Sequence, residues 1–220
     1  MNKFHWSFST YDSYQTCPRR LNEIRFAKTV VEPEAPHAQW GTEVHKALEL
    51  GVKESTPLPA SMEHLNSIID TLKKTPGKVY TECQLAVSRD LDPVEFFSEL
   101  VWCRGIVDFL AVNHGVAIAL DYKTGKRKLT KQLELMALLI FANFNSVEKV
   151  HTGFVWLKEG GKLDTDTFRR DQIPELWDSF RKTVNDMEYS FEMGLWPERQ
   201  NGLCRQWCPV VQCKYNGKRN

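Results

Sequence analysis

The sequence predicts an α/β fold in which a mixed central β-sheet is flanked by helices. Three observations predict it: helical apolar spacing as far as about Lys73, a switch after residue 78 to short β-branched and aromatic runs, and a return to helical spacing at 129–143 and 173–193. Helices come first, then several strands, then helix, strand and helix. That order lacks the regular alternation of a doubly wound sheet, so a mixed sheet is expected. The 220 residues fit one sizeable domain, with a helical part at 1–78, a sheet-bearing core at 79–170, and a helix with a cysteine-rich tail at 171–220.

Each element has a local reason. Ser9, with Asp12 three positions on, reads as a helix N-cap opening a helix to about Lys28, which Cys17-Pro18 kinks or restarts. The proline-rich stretch 31–36 is a loop. Gly41 to Leu50 and Met62 to Lys73 read as helices, the second ended by Thr75-Pro76-Gly77. Strands are expected at Val79–Val87, Glu95–Trp102 and Gly105–Val112. Val116–Leu120 is apolar enough to be a strand buried on both faces. Leu129–Asn143 is a helix, Val150–Leu157 a strand, Leu163–Arg169 an edge strand, and Ile173–Met193 a long amphipathic helix.

Composition excludes some classes. At 42% hydrophobic and 26% charged residues the chain reads as soluble and globular. No apolar run reaches bilayer-spanning length, and the N-terminus lacks the apolar segment of a secretory signal. A cytoplasmic location is expected, where thiols stay reduced. Of six cysteines, Cys204, Cys208 and Cys213 fall within ten residues, and disulfides are the least expected reason. Cys83 and Cys103 lie in strand patterns and read as core residues. The net charge of +1 does not mark a nucleic-acid binder. Lys123 to Lys131 nevertheless carries five cations and no acid, either a solvated loop or a binding patch. There is no Gly-x4-Gly-Lys-Ser/Thr loop, so no ATP-driven motor is expected.

The chemistry concentrates in Gly105-Ile-Val-Asp108 and Ala119-Leu-Asp121-Tyr-Lys123, which flank Asn113-His114-Gly115. A two-residue turn at His114-Gly115 pairs Asn113 with Val116 and, counting back, Asp108 with Asp121. Lys123 then shares their face by strand alternation. Two facing carboxylates in apolar surroundings repel unless a cation or proton lies between them. Oxygen ligation suits Mg²⁺ or Mn²⁺, and a lysine beside it could stabilise charge at a phosphorus centre. Asp121-Tyr-Lys123 is the only Asp/Glu-x-Lys in the chain; the bland alternative is a salt bridge at a strand end.

An acid on one strand followed by Asp/Glu-x-Lys on the next resembles the PD-(D/E)XK nuclease superfamily, with its restriction-endonuclease-like core. Its RecB-like branch adds a His on a preceding helix and a Gln on the following one, which Gly41-Thr-Glu-Val-His45 and Gln132 resemble. Val107 replaces the usual Pro, and Met136 a common Tyr. Tyr14-Gln-Thr-Cys17-Pro-Arg-Arg20 with Cys204, Cys208 and Cys213 is similar to the iron–sulfur cysteines of AddB-type and CRISPR-associated relatives. Here the spacing is Cys-x3-Cys-x4-Cys instead of the commoner Cys-x2-Cys-x5-Cys.

The resemblance implies a divalent-metal-dependent DNA nuclease acting on ends or single strands, hence an exonuclease. Its metal ligands would be His45, Asp108 and Asp121, with Lys123 and Gln132 completing the catalytic set. Glu82 is either auxiliary to that site or a solvent-facing strand residue. Cys17, Cys204, Cys208 and Cys213 would hold a 4Fe–4S cluster, with Zn²⁺ as the alternative, and so join the N- and C-terminal segments. Arg19, Arg20, Lys126, Arg127 and Lys128 are candidate phosphate contacts. Partners in recombination, replication or CRISPR adaptation are implied, in a host cytoplasm if the gene is a phage's. The alternative is a catalytically idle nuclease-fold protein that binds DNA or a recombination partner.

Overall fold

The computed structural model describes residues 3–32, 36–128 and 130–218. Its contacts group into two compact units, one of Met1–Glu34 with Trp177–Asn220, the other of Ala35–Leu176. Among the described residues no helix is long and apolar enough to cross a membrane.

In the terminal unit, α1 (Phe8–Thr16) ends where Cys17 turns extended, at φ −166°. Pro18 dictates this, because its ring disfavours helical backbone in the residue before it, and it then opens α2 (Pro18–Leu21) at N1. A π-helical turn, Asn22–Phe26, follows. The N-cap is Ser7, not Ser9: Ser7 Oγ lies 2.9 Å from Ser9 Oγ and 3.2 Å from Thr10 Oγ1. The long helix α6 (Ile173–Met193) has the predicted bounds, and most of it lies in this unit. Trp6, Tyr11 and Phe180 pack with tilted and edge-to-face rings in the core, and Tyr14 Oη donates to the Asp186 carbonyl at 2.9 Å. Of the loop expected at 31–36, residues 33–35 lie outside the described residues.

The other unit is built on five strands in the order β1 (Lys78–Val87), β2 (Cys103–Asn113), β3 (Val116–Lys123), β4 (Lys149–Trp156), β5 (Lys162–Arg169). Only β3 and β4 run parallel, so the sheet is mixed as predicted, with β5 at an edge. The parallel pair is joined through α5 (Gln132–Asn143), buried along nearly its whole length. Leu129, where the sequence places the start of this helix, lies outside the described residues. Arg170 closes the far end of α5, donating to the carbonyls of Phe141, Phe144 and Val147 at 3.1, 2.9 and 2.8 Å.

The helix α3 spans Pro36–Glu54, longer than Gly41–Leu50, because it starts on a proline and runs until Ser55 turns left-handed at φ +59°. Met62–Lys73 is a 3₁₀ turn, Ala60–Leu65, leading into α4 (Asn66–Lys73). Val44 and Leu48 of α3 and Ile69 and Leu72 of α4 pack with Phe109, Tyr122 and Val155 of the sheet. Each such buried aliphatic side chain contributes about 1.5–3 kcal/mol, which fixes α3 on the strands.

Two strand expectations are corrected. Glu95–Trp102 is a turn-rich excursion with Phe97 79% and Leu100 66% exposed. Ser98 donates to the Glu95 carbonyl at 2.9 Å and its Oγ accepts from Leu100 N at 3.1 Å, so local bonds displace ladder pairing. The strand β3 runs to Lys123, and burial alternates along most of it, so it is not sealed on both faces.

Candidate active site

The β2–β3 connection has the predicted geometry. His114 and Gly115 both take positive φ, +41° and +82°, as a two-residue hairpin turn requires, and Asn113 pairs with Val116. The ladder continues to Phe109 with Leu120, so the next position in register sets Asp108 opposite Asp121. There the strands part, and Tyr122 N–H donates to Asp108 Oδ2 at 2.6 Å. On the other side of β2, Thr81 pairs with Phe109 and Cys83 with Val107. Glu82 therefore lies opposite Asp108, with a left-handed backbone at φ +47° that is unusual for a glutamate in a strand.

His45 reaches this point from α3. Its Nδ1 lies 3.2 Å from Asp108 Oδ1 and its Nε2 3.0 Å from the Tyr122 carbonyl. A carbonyl can only accept, so Nε2 carries the hydrogen and Nδ1 faces the acids. Ligand atoms of His45, Glu82 and Asp108 all lie within 4.8 Å of one another. Gly41, Thr42, Lys46 and Glu49 line the same cavity as His45 and Glu82, with Lys46 Nζ 2.8 Å from Glu49.

Asp121, Lys123 and Gln132 form an adjoining triangle. Gln132 Nε2 donates to Asp121 Oδ1 at 2.5 Å, and Lys123 Nζ donates to Gln132 Oε1 at 2.8 Å. Lys123 Nζ is also 2.6 Å from Asp121 Oδ2, a buried ion pair at the end of the strand. The ammonium lies over the Phe154 ring, 5.0 Å from its centre.

Electrostatics reflect the crowding. Burial, then the charge of Asp108, pushes the Asp121 carboxyl up to about 6 against the pull of Lys123. Glu82 is raised by burial and by Asp108. Burial opposes protonation of His45, yet the hydrogen bond and charge of Asp108 lift it above the ordinary imidazole value. Burial together with the neighbouring Asp108 charge thus raises both Asp121 and Glu82. A divalent cation suits the donors of His45, Glu82 and Asp108: carboxylate oxygens and one imidazole nitrogen.

Glu82 was legible only as one of two alternatives, and the structure places it half-buried beside His45 and Asp108. Lys126 and Lys128 are exposed after β3, whereas Arg127 is held by Asp164, with Nε 2.6 Å from Oδ2.

In the terminal unit, Cys17, Cys204, Cys208 and Cys213 line one cavity together with Arg19 and Arg20. All four thiols are buried. Backbone N–H groups of Arg199 and Asn201 point at Cys17 Sγ and Cys204 Sγ at 3.5 and 3.4 Å. Among the described residues, no three of these sulfurs lie within 4.8 Å of one another. Arg19 is bound to Glu198 at 2.7 Å, and Arg20 to Glu32. Cys103 is fully buried, as expected of a core residue, while Cys83 is only partly so, its thiol pushed up to about 11 by burial.

Comparison with known proteins agrees with this architecture. No curated protein matches the chain. The crystal structure of a candidate exonuclease from Eubacterium rectale superposes with a TM-score of 0.55 at 12% identity, covering 98% of this chain and 88% of that one, a likeness of fold. The crystal structure of SSO0001 gives 0.48 at 15% identity, covering 98% and 89%. The model of the PD-(D/E)XK nuclease superfamily matches residues 5–213, a span that takes in the hairpin, both its acids and all four clustered cysteines. The chain belongs to the PD-(D/E)XK nuclease superfamily.

Proposed function

We propose that the chain is a divalent-metal-dependent deoxyribonuclease of the RecB-like type, hydrolysing phosphodiester bonds at DNA ends or in single strands as an exonuclease. One observation carries this: His45, Glu82 and Asp108 bring ligand atoms within 4.8 Å of one another, and Asp121, opposite Asp108 in register, lies beside Lys123 and Gln132. His45 through Nδ1, Asp108 and Asp121 would hold Mg²⁺ or Mn²⁺, with Glu82 as a further acid. A bound ion would polarise a phosphoryl oxygen and lower the pKa of a water. Tyr122, through its carbonyl and its N–H, fixes the His45 tautomer and the Asp108 rotamer. Lys123 supplies positive charge where negative charge gathers on phosphorus, and Gln132 keeps its ammonium from wandering. Lys126, Arg127 and Lys128 would be phosphate contacts, Arg127 exchanging Asp164 for phosphate.

The four cysteines would hold a 4Fe–4S cluster. A zinc ion with bonds of about 2.3 Å draws four sulfurs to within about 4 Å of each other. Four thiolates suit Zn²⁺ by count as well, and it stands as the alternative. Arg19 and Arg20, proposed as phosphate contacts, also bring positive charge to these thiolates.

The test is end-labelled single- and double-stranded DNA incubated with Mg²⁺, Mn²⁺ or EDTA, beside Asp121→Ala and Lys123→Ala. Divalent-dependent cleavage lost in both variants is expected, with a product ladder that reports polarity. Binding without cleavage in either metal would replace this reading with that of an idle nuclease-fold binder.

A further inference from the structure

Trp207 is 74% exposed, on the helical turn between two buried cysteines, Cys204 and Cys208. A tryptophan laid open to this degree is uncommon, because its large apolar surface gains most from burial. Its backbone is fixed: Trp207 N–H donates to the Leu203 carbonyl at 3.0 Å, as Cys208 N–H does at 2.8 Å. The ring is thus presented outward by a rigid turn.

Past Glu198, the chain segment that carries it is basic. From 199 to 218 the chain carries Arg199, Arg205, Lys214 and Lys218 and no acid. The tail folds back so that Gly217 N–H donates to the Cys204 carbonyl at 2.7 Å, and a Cβ on Gly217 would lie 2.5 Å from the Arg205 carbonyl oxygen. This brings Lys218 to the same turn as Arg205 and Trp207, all three exposed. Arg199 is committed to the Gln15 carbonyl, and Lys214 lies 3.8 Å from Glu198, so among the described residues Arg205 and Lys218 are the cations this turn offers.

We infer that Trp207, Arg205 and Lys218 form a docking surface for single-stranded nucleic acid, Trp207 stacking on a base while the two cations contact flanking phosphates. Every base has a π-face, so such a platform holds strands of any sequence, and the cations give it its salt dependence. The inference rests on the proposed nucleic-acid function and adds a second contact surface, in the terminal unit, to that reading.

The experiment is fluorescence anisotropy of a labelled oligothymidine with anaerobically purified full-length protein in EDTA, across a salt series. The unaltered protein is compared with Trp207→Ala, Trp207→Phe and the double variant Arg205→Ala/Lys218→Ala. Circular dichroism and thermal melting verify the fold of each. Trp207→Ala is expected to weaken binding roughly 5- to 100-fold, and Trp207→Phe to restore most of it. The double variant is expected to reduce the slope of log affinity against log salt by about 1.4. Tight binding by the unaltered protein that Trp207→Ala leaves intact would overturn the surface while leaving the function standing. An unaltered protein that binds no oligonucleotide would overturn both. A Trp207→Ala change seen only in oligomeric state, by sedimentation, would make this an interface between copies and overturn the proposal.

Discussion

Asp108 Oδ2 takes the backbone N–H of Tyr122 at 2.6 Å, where a strand partner's carbonyl would otherwise serve. The acid thereby holds the two strands at the point where they part, in addition to facing His45. Asp108→Ala is therefore expected to cost stability as well as activity, about 1–3 kcal/mol for the buried N–H left without an acceptor. Asp108→Asn keeps an acceptor and should retain most of that stability while losing metal affinity. Urea unfolding in EDTA separates the two; equal stabilities for both variants would refute the structural half of this role.

Lys123 and Gln132 are expected to fail in different ways. Lys123→Ala removes the ammonium, and a loss of about 10²–10³ in cleavage rate is expected, with DNA affinity little changed. Gln132→Ala leaves the ammonium paired with Asp121 but removes one of its partners, and leaves Asp121 Oδ1 without its 2.5 Å donor. A smaller rate loss, of about tenfold, should follow, together with weaker metal binding. Single-turnover rates and Mn²⁺ titrations of both variants test the order; a greater rate loss in Gln132→Ala than in Lys123→Ala would reverse the assignment.

Stability in the absence of metal should depend on pH with a defined sign. Burial pushes the Asp121 carboxyl up from 3.8 to about 6, and His45 is also raised. Groups raised on folding stabilise fully below their unfolded pKa and lose that contribution as pH rises through the folded value. In EDTA, then, Asp121→Asn should gain on the unaltered protein as pH climbs from 4 to 7, by about 1–3 kcal/mol. Saturating Mn²⁺ should remove or invert the difference, because the ionised acid is then neutralised. Unfolding midpoints across this range, with and without Mn²⁺, check it; a difference that shrinks with rising pH in EDTA would contradict the assignment.

The cysteine cavity predicts a colour. Protein purified without oxygen should absorb broadly in the visible, and Cys17→Ala or Cys208→Ala should bleach it while leaving the Asp121 site able to bind Mn²⁺. Iron and acid-labile sulfide analysis, with zinc measured alongside, decides between the two groups. A colourless protein carrying stoichiometric zinc would assign the cysteines to Zn²⁺.

How much of this could be read from the residues differed by element. The pairing across β2 and β3 was legible because His114-Gly115 is a turn of fixed length, and counting from it reaches both acids. The neighbouring register was not: residues 88–102 separate β1 from β2, and no turn rule spans such a distance. Glu82 could therefore not be placed beside Asp108 in advance. The same excursion drew a false strand, since Phe97 and Leu100 have the composition of a strand but no partner to pair with. His45 and Gln132 were named from the family pattern, because single polar residues on helices carry no local signal. The break at Cys17-Pro18 was legible from backbone sterics alone.

The hairpin turn also makes the site a ruler with two equal arms. Asp108 stands five residues before Asn113, and Asp121 five residues after Val116. Adding one residue to a single arm would slide the acids past each other and turn one towards the opposite side of the sheet, silencing the centre with every one of its side chains still present. Lengthening both arms together, by two residues each, would restore the meeting point. Such a pair of compensating insertions, inert apart and active together, is a form of epistasis that a residue-by-residue alignment of the acids would never reveal.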